Sequence, residues 1–471
     1  MPFADLATPD LPLKRLFRLA LFQVSVGLTL VLLVGTLNRV MIVEMGVPAI
    51  VVAGMLALPL LFAPFRALIG HRSDNHRSAL GWRRAPFIWK GTLYQFGGFA
   101  IMPFALLVLA GMGESGSAPV WLGYSSAALA FLLVGAGAHI VQTAGLALAT
   151  DLTPPESHPR VVGLMYVVLL LGMMLAALVF GALLADFTPG RLVQVIQGCA
   201  LTCFALNMIA MWKQEPRHMA RSRPQRAKDP TFAESWALFC AGKQTVRRLA
   251  VVGLGTLAFT MADVLLEPFG GEVLSWSVSA TTKLTALFAL GGLLGFAYAS
   301  RVLGKGGDPY TTARMGAFIG IPAFALLIAS GPLQLSAAFI IGNFLVGFGG
   351  ALFGHATLTA TMTGAPKGQA GLALGAWGAV QATAAGIAMS LSGALRDGLG
   401  ALFAAASDVP TGAISASYLS VYGIEIVLLV ATVIVALPLL KRQSEPASAP
   451  AFGNAAEGVP VRRPAEQGSQ P

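Results

Sequence analysis

The sequence predicts an all-α membrane protein whose twelve transmembrane helices form two six-helix halves. Three observations predict it. Apolar runs recur at bilayer length, basic residues gather in alternate loops, and the fourth span repeats in the tenth. Of the 471 residues, 56% are hydrophobic and 11% charged, against about 25% charged in an ordinary soluble domain. Leu16–Leu37, Val47–Ala67, Val161–Ala185 and Val421–Leu440 each run about one bilayer thickness with few or no charges. These stretches are apolar nearly all round, whereas a soluble surface helix is amphipathic.

The spans follow in order. The first is 16–38, with Lys14, Arg15 and Arg18 at its start. It is longer than a signal-peptide core, and no A-x-A cleavage pattern follows, so it is read as a retained helix. The second is 47–69. The third, 86–111, and the fourth, 119–149, open on Pro86 and Pro119; the sixth, 190–212, and the tenth, 333–361, follow Pro189 and Pro332. Proline suits a first helical turn, whose N–H groups lack partners anyway. The fifth span, 161–185, has no charge. Spans at 248–267, 276–300, 312–330, 370–395 and 419–440 complete the set. The expected organisation is an N-terminal half at 1–212, a basic linker at 213–247, a C-terminal half at 248–440 and a polar tail at 441–471, rich in Pro, Ala, Ser and Gly and expected to be disordered.

Loop charges give an orientation. Arg72, Arg77, Arg83 and Arg84, then Arg160, the 213–247 linker, then Arg301, Lys305, Arg314 and Lys367 fall on one side with both termini. Glu44, Glu114, Asp186, Glu272 and Asp408 fall on the other. The positive-inside rule then places both termini in the cytoplasm. The same rule accounts for the net charge of +10 without a nucleic-acid partner. The linker reads either as a plain connection or as a segment on anionic headgroups, with Phe232, Trp236, Leu238 and Phe239 as interfacial contacts. Cys199 and Cys203, one turn apart within a span, read as core packing.

The fourth span carries GAGAHIVQTAGLALATDLTP from Gly135, and the tenth carries GFGGALFGHATLTATMTGAP from Gly347. Gly135 aligns with Gly347, Gly137 with Gly349, Leu146 with Leu358 and Pro154 with Pro366, without a gap. Parallel halves of this kind are the plan of the major facilitator fold. The loop GHRSDNHRSALGWRRAP, 70–86, resembles that superfamily's loop signature: Gly70 for close approach, then Asp74, then Arg77 and Arg84 as possible partners.

The stretch HRSDNHRSALGWRRAPFIW, together with DVLLEPFGGEVL at 263–274, resembles the PucC/LhaA group, also called the bacteriochlorophyll delivery family, over about Leu13 to Leu440. The resemblance leans towards the PucC branch. It implies a protein of the inner, intracytoplasmic photosynthetic membrane that assists light-harvesting complex assembly. Its implied partners are antenna polypeptides and bacteriochlorophyll or its synthesis machinery. It brings no catalytic or binding residues with it.

The residues suggest their own candidates. His139 and His355 each lie 12 residues before a charged residue, Asp151 and Lys367. That places each about 18 Å from the helix end, near the midplane. A neutral imidazole is a good axial ligand for a metal-centred macrocycle, so bacteriochlorophyll magnesium is a possible guest; interhelical hydrogen bonding is the simpler role. Gln142 and Thr143 share the His139 face. Asp263 and Glu267 lie one turn apart before Pro268-Phe269-Gly270-Gly271, which is expected to break the helix. Carboxylates inside a span are functional candidates, here for gating, proton coupling or partner docking, unless both already reach the interface. Lys283 or Arg39 is their expected partner. Arg66 and Lys90 are expected to snorkel, and Glu425 to sit near the outer boundary without a role. Gly291, Gly292, Gly295, Gly342, Gly347, Gly349 and Gly350 are expected to permit close helix packing.

No P-loop, H-E-x-x-H, nucleotide-binding glycine fingerprint or D-x-x-x-D pair occurs. The expectation is therefore a non-enzymatic assembly factor that handles bacteriochlorophyll during antenna insertion. The competing readings are a proton-coupled transporter of a small solute and a pigment-synthesis enzyme.

Overall fold

The structure is a computed structural model that describes residues 12–61, 82–111, 118–153, 158–215, 244–363, 370–406 and 410–441. Among these residues there are twelve helices and no strand: α1 Leu13–Glu44, α2 Ala49–Leu61, α3 Ala85–Leu109, α4 Val120–Asp151, α5 His158–Leu183, α6 Pro189–Met211, α7 Thr245–Glu272, α8 Val278–Gly304, α9 Pro309–Ser330, α10 Ser336–Thr363, α11 Ala370–Ala406 and α12 Pro410–Lys441. Eleven are long and apolar enough to cross a membrane, and α2 is the shorter twelfth. Most of the 213–247 linker and the tail beyond 441 lie outside the described residues.

Helix starts follow local chemistry. Thr188, Ser277 and Asp308 cap α6, α8 and α9 by accepting backbone N–H bonds from Arg191, Ala280 and Thr311. The last two helices are longer than their apolar runs suggest. α11 continues to Ala406 and α12 begins at Pro410, so residues expected near a boundary lie deep inside.

Helix pairing repeats with a shift of six. The packed pairs α3–α4, α1–α5, α1–α6, α3–α6 and α2–α4 recur as α9–α10, α7–α11, α7–α12, α9–α12 and α8–α10. The repeated glycines explain part of this. A Cβ on Gly135 of α4 would strike Pro59 of α2 at 2.3 Å, and one on Gly347 of α10 would strike the Phe288 carbonyl of α8 at 2.2 Å. Gly137 likewise abuts Gly91 and Gln95 of α3, and Gly349 abuts Gly316 of α9. Gly291 and Gly295 lie against the carbonyls of Phe344 and Phe348, so α8 and α10 touch backbone to backbone.

The two sets of six meet mainly through α2 with α11 and α5 with α8. Polar bonds also cross between them. Ser279 donates to the Gly181 carbonyl at 2.6 Å, and Thr36 and Thr282 share a hydrogen bond at 3.3 Å. Within the first six helices, a buried layer of Thr29, Thr92, Gln95 and Asn207 ties α1, α3 and α6 together. Cys199 and Cys203 are buried free thiols.

Candidate functional site

The site is built around α7. Asp263 and Glu267 stand one turn apart, and Pro268 follows. Contrary to the sequence expectation, the helix does not break there; it runs on to Glu272. Proline has no N–H for the carbonyl four residues earlier, that of Val264. Asn38 of α1 supplies the missing donor, its Nδ2 lying 2.7 Å from the Val264 oxygen. The helix keeps its course because a side chain from another helix replaces the lost bond.

Glu267 is 3% exposed. Thr285 of α8 donates to its Oε1, and Oε2 has no hydrogen-bond partner. Gly35 makes room for it: a Cβ there would lie 2.5 Å from Oε1. Gly35 falls in the π-helical stretch Val31–Leu37 of α1, a local widening that recurs at functional sites. Lys283, expected as the acidic pair's partner, is exposed and lays its stem on Gly181 of α5. It sits two residues before Thr285, on a different helix face. Arg39, the other expected partner, lies against Gly271, one turn beyond Glu267 on α7.

Asp263 and Glu267 line a cavity of about 160 Å³ with Gly35, Met173, Asn343 and Met389, contributed by α1, α5, α7, α10 and α11, while Thr285 and Phe288 add the α8 wall. Five of these six helices carry large apolar side chains to it, so the carboxylates are its main charge. A larger groove of about 510 Å³ opens between α1, α5 and α6; it is apolar apart from Arg191, Gln194, Thr202 and Cys199.

Beyond the cavity, the end of the bundle opposite the termini is held by ions. Arg39 pairs with Glu44 and donates to the Trp276 carbonyl at 2.9 Å. Arg396 pairs with Glu272 and with Asp397, and its guanidinium lies 5.2 Å from the Tyr418 ring centre. Tyr418 donates to Glu272 at 2.7 Å. Asp397 accepts the Ile50 N–H at 2.7 Å, joining α11 to the start of α2. Sequence reasoning missed Arg396 and Asp397, although two adjacent charges beyond an apolar run were the available signal.

At the terminal end, Glu215 accepts the backbone N–H groups of Arg83, Arg84 and Ala85, at 2.5, 2.9 and 2.8 Å. Arg84 pairs with Asp151 at 2.9 Å. Gly70, Asp74 and Arg77 of the loop signature lie outside the described residues, as does Arg66.

The histidines stand apart from the carboxylate cavity. His139 is half-buried on α4, and Gln142 donates to Gln23 of α1 at 3.4 Å. His355 is half-buried on α10, its ring centre 4.2 Å from that of Phe296 of α8. Its Nδ1 is buried without a hydrogen-bond partner. Glu425 departs from expectation. Because α12 starts at Pro410, it lies in mid-helix, fully buried, and neither carboxylate oxygen has a hydrogen-bond partner. Among the described residues, no group of three His, Cys, Asp or Glu is arranged to hold a metal ion.

A family model described as PUCC protein matches residues 36–444. The chain belongs to the PucC family. Protein PucC of Rhodobacter capsulatus is 59% identical over 445 residues, covering 94% of this chain and 95% of that one. The 44.5 kDa chain named bacteriochlorophyll synthase in the same species is 26% identical over 381 residues, covering 79% and 85%. A solved bacterial homologue of the lysosomal transporter Spinster, inward-facing and occupied, matches with a TM-score of 0.65 at 16% identity, covering 92% of this chain and 98% of that one. PucC membership and the major facilitator fold therefore agree with the helix pairing: this is a multi-pass membrane protein of a photosynthesis-related family.

Proposed function

We propose that this PucC-family chain assembles light-harvesting complexes, handling bacteriochlorophyll while antenna polypeptides enter the membrane. The family match over 36–444 carries the reading. His355 supports the pigment part. The Nδ1 of this imidazole is buried and has no hydrogen-bond partner, so a ring nitrogen is not committed to the protein, and a magnesium-centred macrocycle takes a neutral imidazole as an axial ligand. Phe296 covers the ring, so admission of a pigment requires that side chain to swing aside. His139 and Gln142 are the second candidate position.

In this reading the chain does no chemistry on its cargo. It works in the photosynthetic inner membrane with both termini cytoplasmic. Asp263 and Glu267 help to set the relation between the two sets of six helices, and Gly70, Asp74, Arg77 and Arg84 do so at the cytoplasmic face. Deleting the gene in its phototrophic host is the test. Loss of antenna absorption with antenna transcripts retained supports the reading, and normal antenna assembly overturns it.

The cavity carboxylates favour one competing reading, proton-coupled transport of a small solute. Solute uptake in proteoliposomes under an imposed pH gradient, abolished by Glu267→Gln, would support it; antenna loss in the deletion strain with no such uptake excludes it.

A further inference from the structure

The groove between α1, α5 and α6 takes no part in the carboxylate cavity or the histidine positions, yet its polarity is ordered. α5 and α6 both pack on α1 and hardly touch each other, so Val24 and Leu28 of α1 form its floor and the two helices its walls. On the α5 side it closes where Gly27 and Gly172 bring α1 and α5 together; a Cβ on Gly172 would lie 2.9 Å from the Val24 Cα. From there it runs along α5 to Leu183, and along α6 from Leu206 to Arg191. At 1.5 Å per residue these stretches are about 16 and 22 Å long, and one leaflet of the hydrocarbon core is about 15 Å thick.

Charge sits at one end only. The last turn of α6 lies beside the start of α1, where Arg15 and Arg18 donate to the carbonyls of Gln214 and Trp212 at 2.7 and 3.0 Å. Arg191, in the first turn of α6, is therefore at the end away from the termini. It is exposed, and its side chain has no partner among the described residues. The nearby acid, Asp186, lies in the α5–α6 connection and does not line the groove. Below Gln194 the lining is apolar apart from Cys199 and Thr202, and the Thr202 hydroxyl is committed to the Gly198 carbonyl at 2.7 Å. Gly198, midway along, is exposed, and a Cβ there would meet nothing within 4 Å. Glycine weakens a helix interior, and here no neighbouring helix requires it; what it provides is open groove.

We propose that this groove holds one acyl chain of an anionic phospholipid, from the leaflet at the end away from the termini, with the lipid phosphate on the Arg191 guanidinium. A cation at headgroup depth, above an apolar channel one leaflet deep, has the layout of such a lipid. The guanidinium offers a fork of donors to phosphate oxygens, and the channel takes the hydrocarbon. A membrane-crossing helix is a poorer occupant, since it spans both leaflets, about 30 Å, whereas the α5 wall ends at Gly172. The seated chain braces α5 against α6 across the gap over α1. It is a structural lipid, independent of what the protein carries.

The test is native mass spectrometry of the full chain in delipidated detergent micelles, titrated with phosphatidylglycerol or phosphatidylcholine of identical chains. The first phosphatidylglycerol should bind about fivefold more tightly than the first phosphatidylcholine, the order expected of one basic residue on an anionic headgroup. Arg191→Gln should abolish that preference. Lys90→Gln, exposed on α3 at the other end, should keep it. Gly198→Leu fills the groove without striking a neighbour. It should weaken the first binding of both lipids by about fivefold or more, and leave Tm in lipid-free detergent unchanged. Equal affinity for the two lipids in the wild type, a preference that survives Arg191→Gln, or a first binding untouched by Gly198→Leu would each overturn the proposal. So would a co-purified pigment or protein that Gly198→Leu expels in place of lipid.

Discussion

Asn38 of α1 stands in for the N–H that Pro268 of α7 lacks, donating to the Val264 carbonyl at 2.7 Å. This bond joins the two sets of six helices at the carboxylate turn, so proline makes α7 depend on α1. Replacing Asn38 with Leu leaves a buried carbonyl unpaired and should cost about 1–3 kcal/mol. In a Pro268→Ala background the backbone supplies its own donor, so the same replacement should cost clearly less. A double-mutant cycle on Tm checks this; equal costs in both backgrounds would refute the relationship.

Gly35 and Glu267 share a space too small for one more methyl group. Gly35→Ala should push the carboxylate off Thr285 and destabilise the protein by about 1–3 kcal/mol. Combining it with Glu267→Ala should recover part of that loss. Thermal unfolding of the four proteins measures the coupling, and strict additivity would contradict the contact.

Arg396 is mostly buried between Glu272, Asp397 and Tyr418. Arg396→Ala strands two acids at the end away from the termini and should cost about 3 kcal/mol or more. Arg396→Lys should rescue only partly, because a lysine cannot bridge both carboxylates in a fork. Distances between spin labels on α2 and α11 should lengthen in the alanine variant. Unchanged distances would show that this cluster does not hold the end closed.

Glu215 offers one carboxylate to three backbone donors at the start of α3. Glu215→Ala should speed amide exchange at Arg83, Arg84 and Ala85 and cost about 1–2 kcal/mol. Hydrogen–deuterium exchange resolves the three amides; protection equal to wild type would refute the cap.

The helices and their repeat were legible because apolar run length and small-residue spacing are local properties. Gly135 and Gly347, aligned by the repeat, both fall at close helix contacts, although the helices they touch, α2 and α8, were not legible from the sequence. The fate of α7 was not legible, because Pro268 is a breaker by local rules and its rescuer lies 230 residues away in Asn38. Glu425 was misplaced for a related reason: hydropathy begins α12 at the apolar run, whereas the helix begins earlier, at Pro410. Lys283 had the right charge on the wrong face, and Thr285, two residues on, reaches Glu267 instead.

The most direct test of pigment handling is a near-infrared absorption spectrum, with pigment extraction, of the protein purified in mild detergent from a phototrophic host. The account predicts bound bacteriochlorophyll in fixed proportion to protein, lost in His355→Ala and increased in Phe296→Ala. A colourless wild-type preparation that yields no extractable pigment would contradict it.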